Sequence, residues 1–206
     1  MKHLVRSLIV AFVIGLLTAA PGFAQPASEE ETQAVRAGLD QLQRAVNSLR
    51  SKPEAERRLP DVEVYAKAAE WIVRHAEFYR PEYAAWTRET LDSGLARASA
   101  LAGAAIDWES SPGCRILAYR SAVDESLQPY ALTLPLDFGK EPERRWPLHV
   151  ILHGRNAQLT EVSFIHAQAG KPAAADQDWI QLDIFGRSNN AYRWAGESDV
   201  LEALAD

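Results

Sequence analysis

Apolar residues recur with a helical period through the first half of the chain and with a two-residue period through much of the second. After a polar lead-in from Gln25 to Glu31, the helical period runs from about Thr32 to Ala105. Ala34, Val35, Leu39, Leu42, Val46 and Leu49 share one side of a first helix, which the SKPE segment at Ser51–Glu54 should end. Asp61 is expected to cap a second helix, whose broad apolar face carries Val64, Tyr65, Ala68, Trp71, Ile72 and Phe78. Pro81 opens a third at its first turn, where a missing N–H costs nothing. Its small-residue end, LARASALAGAA, would let another helix approach closely. His75 and Trp86 read as a surface residue and a core aromatic.

The pattern changes at SSPG, Ser110–Gly113. RILAYRSAV and QPYALTLP alternate around the polar turn Asp124-Glu125-Ser126, which predicts two strands joined in a hairpin. WPLHVILH is a third strand, apolar enough to be covered on both faces. Thr160 to Gln168 reads as a helix, DWIQLDIF as a fourth strand, and GRSNNAYRWAGES as a polar and aromatic loop. Asp199 with Glu202 has the spacing of a capping box for a last helix. Strands alternating with helices after the hairpin imply right-handed crossovers and a parallel core. The fold class expected is α/β, about four strands in a mixed sheet with a parallel core, preceded by an α-helical region.

The first residues change the picture of where the fold begins. MKHLVR is a short basic segment and LIVAFVIGLLTAA an apolar run of signal-peptide length; Gly22-Phe23-Ala24 then offers small residues for cleavage after Ala24. An uncleaved anchor is the alternative. With cleavage no stable membrane span remains, and the protein is expected in the periplasm or outside the cell. The expected organisation is a signal peptide over 1–24, a helical region over 25–110 and a sheet region over 111–206. A hydrophobic content of 47% in 206 residues is enough for a packed core. The formal charge of −6 becomes −8 when Lys2 and Arg6 leave with the leader, and no basic run marks a nucleic-acid surface. Cys114, the single cysteine, excludes an intrachain disulfide and reads as a buried small hydrophobe.

Candidate chemistry gathers at PLHVILHGRNAQL, Pro147–Leu159. In acyl transfer the substrate carbonyl oxygen gains negative charge, and each fixed backbone N–H beside it is worth about 3 kcal/mol. A strand running into His-Gly can turn sharply and present such an amide. Gly154 would permit the turn, Arg155 would offer its N–H, and His153 would orient the loop. His149 and His153, four apart on a strand, stand about 13 Å apart, too far for one metal ion; no metal site is expected. Asp176, Asp178 and Asp183 read as solvated strand ends. There is no Gly-rich phosphate cradle, and no cofactor is expected. Arg187, Tyr192, Arg193 and Trp194 follow the fourth strand, where ligands bind in open α/β sheets, and are candidate substrate contacts.

LHGR followed by a helix resembles the oxyanion loop that α/β-hydrolases carry after their third strand. YRSAVDESLQPYALTLP resembles the first hairpin of secreted esterases and prolyl-oligopeptidase-like peptidases, and IFGRSNNAYRWAGESDVLEAL the segment after their fourth strand. The resemblance spans about Arg115 to Asp206. It implies an α/β-hydrolase sheet and a serine hydrolase acting on a small-molecule ester or a peptide. Two departures stand out. Only one glycine follows His153, as in the variant where a non-glycine residue supplies the amide. No G-x-S-x-G exists, and Gly186-Arg187-Ser188-Asn189-Asn190 ends in Asn and follows the wrong strand, so Ser188 is not taken as nucleophile. The family order places the nucleophile, acid and base beyond Asp206. The chain is therefore expected to be the N-terminal part of an exported serine hydrolase, inactive alone. The alternative is an exported, non-catalytic helical binding module with a degenerate hydrolase half.

Overall fold

A computed structural model describes residues 27–104, 106 and 108–206. The expected leader over 1–24 lies outside them. No helix among the described residues is long and apolar enough to cross a membrane.

Helix α1 spans Glu29–Arg50 and buries Val35, Leu39, Leu42, Val46 and Leu49, while Ala34 is exposed. It starts three residues earlier than its apolar period suggests. Ser28 and Glu31 form a capping box, each side chain taking the other residue's backbone N–H. A 3₁₀ turn at Pro53–Arg58 leads to α2, Pro60–Arg74. Asp61 does not cap it. Pro60 occupies the start, and the Asp61 carboxylate is buried, accepting from Ala118 N at 2.9 Å and from Trp108 Nε1 at 3.3 Å. α3 runs over Glu82–Ala102 with Pro81 as its N-terminal neighbour. It lies close against α1 and α2 because Gly94 has no side chain. A Cβ there would come within 2.6 Å of Leu42 Cδ2 and 2.8 Å of Tyr65 Cβ.

The strands are β1 Gly113–Arg120, β2 Leu127–Leu134, β3 Leu148–Leu152 and β4 Ile180–Ile184. Helix α4, Glu161–Gln168, connects β3 to β4, with Thr160 and Ser163 closing a capping box. Helix α5 covers Ala195–Ala205. The sheet has the order β1-β2-β4-β3. β1 pairs with β2 and β2 with β4 antiparallel, whereas β3 and β4 are parallel. The fold is thus α/β with a mixed four-stranded sheet.

Three expectations are corrected here. β3 is not covered on both faces; it is the outer strand, and Leu148, Ile151 and Leu152 are 46%, 41% and 51% exposed. Asp199 does not cap α5, which begins four residues earlier; its side chain is buried in an ion network. Asp183 is no solvated strand end. β4 is an inner strand, and Asp183 is buried, accepting from Gln181 Nε2 at 2.8 Å.

Helices α2 and α4 cover one face of the sheet, and α1 and α3 pack outside them. Tyr119 and Tyr130 point to the other face, where their hydroxyls donate to Asp199 O (3.2 Å) and Asp206 Oδ2 (2.7 Å) of the α5 segment. A single contiguous core joins Val35, Leu42 and Ile72 of the helices to Ile116, Ala131 and Ile165 of the sheet region. Lys67 of α2 pairs with Glu161 of α4, and the Tyr83 hydroxyl of α3 donates to Gln158 O.

Candidate functional site

Because β3 and β4 are adjacent and parallel, the loops leaving their carboxyl ends lie side by side. The first is His153–Asn156; the second runs from Gly186 to Trp194. Contacts between them are specific. The Tyr192 hydroxyl accepts from His153 N at 2.9 Å and donates to Ile184 O at 2.9 Å. Asn189 Oδ1 accepts from Asn156 N at 2.9 Å, and Asn189 Nδ2 donates to Asn156 O at 2.6 Å. The His153 ring nitrogens lie 2.8 Å from Gly154 O and 2.9 Å from Phe185 O.

This arrangement pins the backbone at residues 153 and 156 and leaves the amides of Gly154 and Arg155 between them. Neither donates a hydrogen bond among the described residues, and both residues are exposed. Gly154 does not have a left-handed φ, and a Cβ there would meet nothing within 4 Å. Its turn is therefore one that other residues could make. The Arg155 side chain is exposed and forms no ion pair or hydrogen bond among the described residues.

The second loop is unusually contorted. Gly186, Arg187, Ser188, Ala191, Tyr192 and Trp194 all have positive φ, between 52° and 70°. For non-glycine residues that backbone costs free energy unless the surroundings enforce it, and such strain clusters at ligand sites. Glycine is required at position 186, where a Cβ would lie 2.3 Å from the Tyr192 ring.

Of the four expected substrate contacts, two are engaged internally. The Arg187 guanidinium bonds Asp124 Oδ2 at 2.6 Å, Ser121 Oγ at 2.9 Å and the buried Asp199 carboxylate at 3.1 Å. These hydrogen bonds hold Arg187 fully charged and keep the Asp124 carboxyl well below the usual carboxylate range. Tyr192 braces the two loops, and its phenol is raised above the ordinary range by burial. Arg193 and Trp194 are exposed, Trp194 by 80%, and stand with Leu152 and Leu201 around an open cavity on the α5 face.

Two further cavities flank the loops on the helical side. One, of about 380 Å³, is lined by Tyr83, Trp86, His153, His166 and Asp183 among others. Trp86 is core on one side only: half-buried and packed against the core, it stacks on His166 with centroids 4.4 Å apart and is covered by Arg80 at 5.0 Å. The other, of about 310 Å³, is lined by Lys67, Trp71, Gln128, Glu161, Phe185 and Ser188 among others. Of these wall residues, sequence reasoning placed only His153 at the site. Lys67 carried one available signal: a charge three residues after Val64 and four before Trp71, at the spacing of the apolar stripe.

Other chemistry finds little support in the geometry. Among the described residues no three metal-ligating side chains converge, and His149 stacks on Trp179 with centroids 4.9 Å apart. Burial raises the Cys114 thiol, which opposes thiolate formation. Ser188 Oγ contacts Leu159 O and Asn189 Nδ2, both at 3.3 Å, and no histidine. No family model, curated protein or solved structure matches the chain.

Proposed function

We propose that this chain carries the oxyanion-binding part of an exported serine hydrolase that cleaves a carboxylic ester or a peptide bond. The supporting observation is the pair of unbonded amides at Gly154 and Arg155, exposed between two pinned neighbours. An oxyanion hole needs donors fixed before the charge develops, so that no reorganisation is needed during reaction. The carboxyl end of parallel strands is also where open α/β sheets bind ligands. The α/β architecture and the HGRN loop agree with an α/β-hydrolase, and the leader-like start of the chain agrees with export.

Among the described residues no serine hydroxyl is hydrogen-bonded to a histidine, and Ser163, which lines the cavity with His153 and His166, is engaged in the α4 cap, so in this reading the nucleophile would come from polypeptide not in this sequence. Strand β3 offers a place for it. Its outer edge has no strand partner among the described residues, and Leu148, Ile151 and Leu152 are exposed there. A strand added parallel to β3 on that edge would bring its carboxyl end next to the Arg155 amide.

The encoding DNA read past Asp206 should specify a further strand and a G-x-S-x-G elbow within about 30 residues. In the protein carrying that elbow, Arg155→Pro removes the amide and should lower kcat/KM for a nitrophenyl ester by about 10²–10³. Arg155→Ala, which keeps the amide, should change it by much less. A stop codon after Asp206, or an Arg155→Pro enzyme as fast as the wild type, would sink the proposal. Labelling of a serine within residues 25–206 by a fluorophosphonate probe would relocate the nucleophile and overturn the missing-elbow reading.

A further inference from the structure

The cavity of about 380 Å³ lies between α3, α4 and the carboxyl ends of β3 and β4. Asp183 stands in its sheet wall. In the β3–β4 ladder it is the partner of Ile151, so the two side chains share one face of the sheet. Both line the cavity, opposite Phe164 and Ala167 of α4.

Asp183 is only 7% exposed, yet it has no cation partner among the described residues. Its Oδ2 accepts from Gln181 Nε2 at 2.8 Å. Its Oδ1 has no hydrogen bond among the described residues and is not enclosed, so it can accept from a molecule in the cavity. A carboxylate this deep and without a cation is costly unless a partner completes it. With one oxygen free, it suits an ammonium better than the two-pronged guanidinium fork.

The α3 side of the cavity carries the second unmatched charge. The Arg80 guanidinium lies over the Trp86 and Tyr83 rings, 5.0 and 5.8 Å from their centroids. Arg80 is exposed and its side chain makes no ion pair or hydrogen bond among the described residues. The other ionisable side chain on this wall, His166, is taken by Glu89 at 2.8 Å. The cavity therefore offers one free anion and one free cation. An amine alone would be repelled by Arg80 and an acid alone by Asp183, whereas a zwitterion is attracted by both.

We infer that this cavity binds a free α-amino acid with an apolar side chain. Its ammonium donates to Asp183 Oδ1, its carboxylate accepts from Arg80, and its side chain lies against Ile151, Leu159 and Phe164. The site requires no catalysis and does not depend on the hydrolase reading.

Titration calorimetry of the purified chain with leucine tests this against leucinamide, which lacks the carboxylate, and N-acetylleucine, which lacks the ammonium. At about pH 6 the amines are protonated, since the pH lies below the ordinary α-amino range. Leucine should bind saturably and at least tenfold more tightly than either analogue. Arg80→Met, at an exposed position outside the helices and compatible with folding, should weaken leucine about tenfold and leave leucinamide unchanged. Asp183→Asn, of the same shape, should weaken leucine about tenfold and leave N-acetylleucine no weaker. Equal affinity for the three ligands, no saturable binding of leucine, or undiminished leucine binding in Arg80→Met would each overturn the inference. So would undiminished leucine binding in a folded Asp183→Asn protein.

Discussion

Arg187 shows how a single side chain can be misplaced by reasoning along the chain. Its position after β4 suggested a substrate contact, yet it is the hub that ties the hairpin turn to α5 through Asp124 and Asp199. Asp124 is 63 residues away in sequence, so no local pattern could reveal the pair. Asp199 is 1% exposed at its side chain, and removing its cation leaves an uncompensated buried charge. Arg187→Met should therefore cost about 3 kcal/mol in urea unfolding, and adding Asp199→Asn should restore most of it. An Arg187→Met protein as stable as the wild type would exclude a structural role for this network. Acid titration of stability should show two opposed contributions. The folded pKa of Asp124 is depressed by Arg187, so its contribution is present above the ordinary value of 3.8 and is lost as pH falls through the folded value. Burial raises the folded pKa of Asp61, so its contribution is present below 3.8 and is lost as pH rises through the raised value. Arg187→Met should remove the first slope and Asp61→Asn the second, as followed by urea midpoints between pH 2 and 7.

At the scale of elements, periodicity located the helices and strands well because each buries a face with its own repeat. Val35, Leu39, Leu42, Val46 and Leu49 of α1 fall where a 3.6-residue period puts them. The Thr160 start of α4 was legible, since its cap is local and its partner lies three residues on. Asp61 and Asp199 failed as caps for the opposite reason: both carboxylates have partners from distant elements that compete with the helix end. β3 failed in another way. An apolar strand predicts cover on both faces, but sequence does not say which element supplies the cover, and here β3 is outermost. An exposed apolar edge invites pairing with another chain. Leu152→Lys places a charge at a side chain already 51% exposed. It should raise the soluble, monomeric fraction in size-exclusion chromatography while moving the melting temperature by only a few degrees. If the substitution leaves association unchanged, β3 is not the sticky edge.

Across the whole molecule, the change of period near residue 110 suggests two units, but the core does not divide there. Ala68 and Ile72 of α2 share one buried cluster with Ile116, Ala131, Val162 and Ile165. The boundary is also bridged by polar bonds that neither side can replace alone. Asp61 accepts from Ala118 N, Arg97 donates to Ile116 O, and Lys67 pairs with Glu161. A period change records which local structure each segment adopts; it carries no information on whether their apolar faces meet. The helices are therefore expected to be part of the sheet's fold and not an appended module. Leu42 tests this, because it is fully buried on α1 against Gly94 of α3. Leu42→Ala should cost about 2–5 kcal/mol. If unfolding is one cooperative event, amide exchange in β2 and β4 that proceeds through global opening must accelerate by the same factor as exchange in α3. Expressing residues 111–206 alone should likewise give a chain without a cooperative thermal transition, since Ile116, Ala131 and Ile165 lose their cover. Accelerated exchange confined to the helices, or a sharply melting 111–206 fragment, would instead establish a sheet that folds on its own, with the cavity between Lys67 and Phe185 and the Tyr83 contact to the loop residue Gln158 formed only when a separate helical unit docks onto it.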